Sequence, residues 1–232
     1  MNTQVHHISD VPYQAVWDFQ MLLHSDIKSR KSSRIDYDDR KSTIINHLVL
    51  CEHQPVYTLG TSAKRHNLIK SEATLRNEGF ELFDINRGGD ITYHGPGQLT
   101  GYLILDLELL YRDIHKYVSN LELAIILLLR DYNLDPVRLS GYTGVWIKKG
   151  AAMKKICAIG VHLSRWVSLH GFGFNVNSDL SHFKNIVPCG ISDDDKDVTS
   201  LSNEIGRIVS IEEIKPQLMQ KLKQVFNINY IN

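Results

Sequence analysis

Between two runs that read as strands, Phe80–Ile85 and Leu103–Leu107, the chain passes through RGGDITYHGPGQ, Arg87–Gln98. Four glycines, a proline, an arginine and a histidine fall in these twelve residues. Glycine lets backbone approach a ligand closely, and proline fixes the path of the chain. Charged and imidazole side chains bracketing glycines are a costly arrangement for a plain connecting loop, so the segment points to a binding site. It is not a P-loop, because G-x-x-x-x-G-K-[ST] is absent, and it lacks the G-x-G-x-x-G of a dinucleotide site.

The rest of the chain supplies a sheet and its helices. Val11 to about His24 reads as an amphipathic helix through Val16, Phe19, Leu22 and Leu23. Lys28–Ser42 is polar and reads as an exposed connection. Asn46–Leu59 reads as buried strand on both sides of a turn at His53–Pro55. Lys64–Glu78 reads as loop passing into a short helix. Tyr117–Tyr132 reads as a helix, with Ser119 and Glu122 in capping-box spacing or a start one turn earlier. Val145–Ile147, Lys155–Leu163 and Phe172–Val176 read as strands, the first two joined in a hairpin by Lys148–Lys154. The stretch from Leu180 to Thr199 reads as irregular, and Ile211–Phe226 as a terminal amphipathic helix. Helices and strands do not alternate cleanly. The expectation is one α/β domain of the α+β type over residues 1–232, with a mixed, largely antiparallel sheet flanked by helices.

The chain of 232 residues has 43% hydrophobic and 22% charged residues and a formal net charge of zero. A basic surplus for neutralising phosphates is missing, so nucleic acid is not an expected partner. The longest apolar run, Leu123–Leu129, is far short of a membrane span, and MNTQVHHISDVPYQ is not a secretory signal. Three cysteines without a signal imply free thiols in a reducing compartment, here the cytoplasm. Neither C-x-x-C nor H-E-x-x-H is present, and no metal or cofactor is expected.

Cys51 in LVLCEH and Cys157 in KICAIGV fit strand cores and read as inert packing. Cys189 lies between Pro188 and Gly190 in NIVPCGIS, where a turn presents a thiol beside backbone N–H groups. His94, His162, His170 and His182 are candidate activators for such a thiol. A partly desolvated lysine serves too, and Lys155 opens an apolar strand.

The glycine-rich segment resembles the signature of the lipoyl(octanoyl) transferases of the lipoate pathway. That signature is Arg-Gly-Gly, two variable residues, Thr, an aromatic residue and His-Gly-Pro-Gly-Gln, with a Tyr a few residues on. Here it reads Arg87-Gly88-Gly89-Asp90-Ile91-Thr92-Tyr93-His94-Gly95-Pro96-Gly97-Gln98, with Tyr102 following. Further blocks match in order: Lys155–Gly160, Ser168-Leu169-His170-Gly171, Asn175-Val176-Asn177 and Pro188-Cys189-Gly190. EHQPVYTLG, Glu52–Gly60, is similar as well. The resemblance spans roughly Leu48 to Leu201. Gly173 stands where many members have Ala, and Asn86 where Gly is frequent.

The resemblance implies the fold of lipoate and biotin protein ligases. It implies transfer of an octanoyl group from octanoyl-acyl carrier protein to a lysine of lipoyl domains. Those acceptors belong to 2-oxoacid dehydrogenases and to the glycine cleavage H protein. Cys189 would carry the acyl thioester and Lys155 would activate it. The substrate pocket would comprise Arg87, Gly88, Gly89, Asp90, Ile91, Thr92, Tyr93 and His94. It would also take in Ala158, Ile159, Gly160, Gly171, Phe172 and Gly173, with His170 in support. Backbone N–H groups at Gly88–Gly89, Ala158–Gly160 or Gly171–Phe172 are candidate oxyanion donors. Tyr93 and strand residues near Ile159 and Phe172 would line the acyl slot. Lys148, Lys149, Lys154 and Arg165 would form a basic rim for acidic partners. Three alternatives stand beside this one: an ATP-dependent lipoate ligase of the same fold, a binding module without chemistry, and a cysteine hydrolase.

Overall fold

The structure, a computed structural model, describes residues 1–9, 11–32, 39, 41, 43–187 and 196–231. In chain order the strands are β1 (Asn2–Ile8), β2 (Asn46–Cys51), β3 (Val56–Leu59), β4 (Glu81–Asp84), β5 (Ile91–His94) and β6 (Gln98–Ile104). They continue with β7 (Pro136–Leu139), β8 (Tyr142–Lys149), β9 (Ala152–Ser164), β10 (Val167–Asn175), β11 (Lys196–Val198) and β12 (Asn229–Ile231). The α-helices are α1 (Tyr13–Ser32), α2 (Glu72–Asn77), α3 (Ile114–Asp131), α4 (Leu201–Ile205) and α5 (Ile211–Phe226).

A large sheet runs in the order β12-β1-β2-β6-β10-β9-β8-β7. Pairing is antiparallel from β2 across to β7 and parallel at β12–β1–β2. The short β11 runs parallel to β9, pairing Val198 with Lys155. A small sheet, β4-β3-β5, stands apart from it. The mixed, mostly antiparallel sheet with flanking helices is the expected fold class.

Alternation along the strands sorts the two faces. Leu48, Leu50, Leu99, Leu103, Phe172 and Phe174 share one core with Tyr117, Leu121 and Ile125 of α3 and Leu218, Leu222 and Phe226 of α5. Val49, Tyr102 and Ile104 face the other way, against Val16 and Ile27 of α1. In the small sheet, Tyr57, Leu59, Ile91 and Tyr93 form a separate core with Leu75, Phe80 and Leu82.

Several boundaries differ from the sequence reading, each for a physical reason. Helix α1 continues through Lys28 to Ser32, and its buried stripe is Tyr13, Val16, Gln20, His24 and Ile27, whereas Leu22 is exposed. Polar residues on that stripe hide its periodicity. The remainder of Lys28–Ser42 lies mostly outside the described residues. Helix α3 starts at Ile114, where the Asp113 side chain accepts from the Lys116 N–H at 3.0 Å. Ser119 and Glu122 are no cap: Glu122 is buried and accepts from Arg138 Nε and from the Gly144 N–H. The strand expected at Leu103–Leu107 is β6, ending at Ile104. The hairpin falls as expected, with Gly150 at φ 62° in the β8–β9 turn. The stretch from Leu180 is a 3-10 turn, Leu180–Asn185, followed later by β11.

Candidate active site

The glycine-rich segment closes a slot between the two sheets. Register places Gly160, Gly171 and Tyr102 in one row across β9, β10 and β6, and Ala158, Gly173 and Thr100 in the next. Side chains of paired residues share a face. Four of these positions carry at most a methyl group, so the sheet surface opposite the helix-side core is recessed there. Thr92 and His94 of β5 face the recess from the small sheet. The intervening row, Ile159–Phe172–Gly101, points the other way, and Phe172 fills the space that Gly101 leaves in the helix-side core.

Arg87, Gly88 and Gly89 pass between the sheets. The Gly88 N–H donates to Val161 O of β9 at 2.9 Å, and the Thr61 N–H donates to Arg87 O at 2.9 Å. Only glycine fits on either side of this crossing. A Cβ at Gly60 would come within 2.3 Å of Gly89 O, and one at Gly160 within 2.7 Å of Gly88 O. The buried Arg87 guanidinium donates to Thr58 Oγ1 from Nε (3.2 Å) and Nη2 (2.9 Å). It also donates to the carbonyls of Thr58 and Gly88.

Lys155 reaches this slot because β9 is irregular. Cys157, Ile159 and Val161 all pack with the helix-side core, and strict alternation would send Lys155 there too. Instead Val145 pairs with Cys157 and its neighbour Trp146 with Lys155. The extra residue, Ile156, joins Cys157 in the core, and Lys155 turns to the slot. A bulge of this kind re-aims a side chain. Lys155 is buried, its Nζ stands 4.7 Å from the centroid of the Trp146 ring, and no described carboxylate pairs with it.

Two histidines sit in the walls, both neutral. His94 Nδ1–H donates to Gln98 Oε1 at 2.6 Å, while Gln98 Nε2 donates to Tyr93 O and Asn175 Oδ1. This fixes the amide orientation, and with it the imidazole tautomer. Burial is the main cause that lowers His94 to about 4, with the nearby Arg87 adding to it. His170 adopts φ 62°, and its Nε2–H donates to Asn86 Oδ1 at 2.7 Å. Burial first and Arg87 second lower it to about 3.

The slot thus brings together Arg87, Gly88, Gly89, Thr92, His94, Lys155, Ala158, Gly160, His170, Gly171 and Gly173, with Ile159 and Phe172 bordering it. Its unfilled space, open mouth included, is about 500 Å³. Asp90 borders an adjoining groove that shares Gly88, Gly89 and Lys155 with the slot. Ile91 and Tyr93 do not line the slot: β5 alternates, and they enter the outer core of the small sheet. The slot therefore lacks the expected Tyr93 wall. Tyr13, Thr58, Ile85 and Thr143 escaped the sequence reading, although Thr58 lies in the matching EHQPVYTLG stretch. Lys148, Lys149 and Lys154 belong to the β8–β9 hairpin, whereas Arg165 follows the far end of β9, so the four form no single rim. Cys51 and Cys157 are buried, and burial raises both thiols. Cys189 lies outside the described residues. Among the described residues, no helix is long and apolar enough to cross a membrane.

A narrow, mostly uncharged slot with one amine at its mouth suits an apolar chain whose polar, reacting end sits by Lys155. The lipoyl protein ligase A/B catalytic domain family matches residues 12–223. An octanoyltransferase of Cytophaga hutchinsonii is 48% identical over 225 residues, 96% of this chain and 91% of that one. Another, of Flavobacterium psychrophilum, is 45% identical over 230 residues, 98% of each chain. Among solved structures, a bi-partite lipoate protein ligase of Thermoplasma acidophilum superposes with TM-score 0.73 at 17% identity, covering 100% of this chain and 86% of that one. Biotin protein ligase of Aquifex aeolicus does so with TM-score 0.54 at 14% identity, over 97% of this chain and 70% of that one. The structures establish the lipoate and biotin ligase fold, and the sequence matches go further: the chain belongs to the lipoyl protein ligase A/B catalytic domain family, as an acyltransferase of its octanoyltransferase branch.

Proposed function

We propose that the chain, acting as one catalytic unit over residues 1–232 in the cytoplasm, transfers an octanoyl group through a thioester on Cys189. The donor is octanoyl-acyl carrier protein. The acceptors are lipoyl domains of 2-oxoacid dehydrogenases and the glycine cleavage H protein. Lys155 takes the Cys189 thiol proton, and the thiolate attacks the donor thioester. The donor sulfur leaves and regains a proton from Lys155. The acceptor amine then attacks the Cys189 thioester, Lys155 takes its proton, and an amide forms as the thiolate departs. Exchange of one thioester for another is nearly isoenergetic, so ATP is not required.

The observation that carries this reading is Lys155: buried at the slot mouth, turned there by a bulge and without a carboxylate partner among the described residues. The chain positions on either side of Cys189 support it. Two residues before Cys189, the Val187 N–H donates to Asn67 O, and Asn67 Nδ2 bonds Asp90 beside the slot. Seven residues after it, Lys196 opens the strand that pairs with Lys155.

Intact-protein mass after incubation with octanoyl-acyl carrier protein tests the reading. One octanoyl adduct is expected, absent in Cys189→Ala and retained in Cys51→Ala and Cys157→Ala. An adduct that survives Cys189→Ala, or transfer that strictly requires ATP, overturns it.

A further inference from the structure

The slot has a direction. In the sheet order β8-β9-β10-β6, its lining begins with Thr143 before Lys155 and ends with Tyr102 and, from α1, Tyr13. The Lys155 end merges with an open groove through Thr143, Gly88 and Gly160. At the other end, side chains return to the recessed surface. Tyr102 stands in the same register row as Gly160 and Gly171 and is the first large residue in that row.

That end is braced. Tyr102 Oη and His53 Nε2 are hydrogen-bonded at 2.7 Å, and Cys51 Sγ lies 3.4 Å from the same nitrogen. The Tyr13 ring packs 4.9 Å from His53 and lies nearly parallel to His94. Tyr13, His53 and Tyr102 are all buried, so a longer ligand pushes against packed side chains.

The geometry points to Tyr102, backed by Tyr13 and His53, as the stop that sets the length of the acyl chain. This rests on the slot being the acyl site, as proposed above. From Lys155 the slot runs along β9 to the Gly160 row and then across β10 to β6, where Tyr102 closes it.

The test compares kcat/KM for octanoyl, decanoyl and dodecanoyl donors. The unaltered protein is expected to fall at least tenfold between octanoyl and dodecanoyl. Tyr102→Ala, and Tyr13→Leu as a second variant, are expected to reduce that ratio at least fivefold, with KM for the long donor moving most. Ala158→Leu, at mid-slot, is expected to shift preference toward chains shorter than octanoyl. If Ala158→Leu shifts preference and both tyrosine variants fold without changing the ranking, the stop is wrong while the acyl slot stands. If Ala158→Leu also changes nothing, the acyl-slot reading fails with it. Should neither tyrosine variant fold, the unaltered protein decides: equal use of octanoyl and dodecanoyl donors overturns the stop.

Discussion

Lys155 Nζ lies 4.7 Å from the centroid of the buried Trp146 ring, and the two residues are register partners across the β8–β9 bulge. The ring face attracts the ammonium that forms when Lys155 takes up a proton, an interaction of about 0.5–2 kcal/mol. Trp146→Phe keeps a ring at that place, and Trp146→Leu removes it. Single-turnover formation of the octanoyl adduct is expected to slow about 2- to 30-fold more in Trp146→Leu than in Trp146→Phe. Equal rates in two folded variants would show that the ring only fills space.

The Lys155 strand also shows how far the sequence could be read. The run KICAIGVHL announces a strand, but its periodicity assigns Lys155 to the wrong face, because the bulge that turns it depends on pairing with β8. Tyr93 was misplaced for a related reason. It sits inside the most distinctive segment of the chain, yet that segment contains a strand, β5, whose alternation sends every second residue outward. Glycines and their bracketing Arg87 and His94 were legible, since close backbone approach leaves a local mark. Tyr13 and Thr58 left none, because the first begins a helix far along the chain and the second reads as an ordinary strand threonine. The edge strand β12 is short, and it pairs with β1 from the opposite end of the chain.

Arg87 depends on Thr58 in a way that stability measurements can read. Its buried guanidinium gives two hydrogen bonds to one hydroxyl. Thr58→Val keeps the shape and deletes both. Hydrogen bonds to charged groups contribute about 1.5–3 kcal/mol, and a buried donor left without its partner adds a desolvation cost. Urea unfolding is expected to show a loss in that range. KM for the acyl donor is expected to rise, because the Gly88–Gly89 crossing is fixed through the same arginine. Unchanged stability would mean that water replaces the hydroxyl at no cost.

Acid stability follows from the buried imidazoles. His53, His94 and His170 are lowered to about 3, 4 and 3, in each case chiefly by burial. In the unfolded chain a histidine titrates near 6.5. Below that pH the unfolded state binds protons that the native state refuses, so the stabilisation is complete above about 6.5 and drains away as pH falls toward the folded values. Each such group contributes up to about 1.4 kcal/mol per pH unit in that window. The urea midpoint is therefore expected to drop steeply between pH 6.5 and 4. His170→Asn removes one of these groups, and asparagine tolerates the left-handed conformation at that position. Its stability-versus-pH slope is expected to be shallower by about one proton in the same window. A slope unchanged from the parent would mean that His170 takes up its proton in the native state as readily as in the unfolded chain.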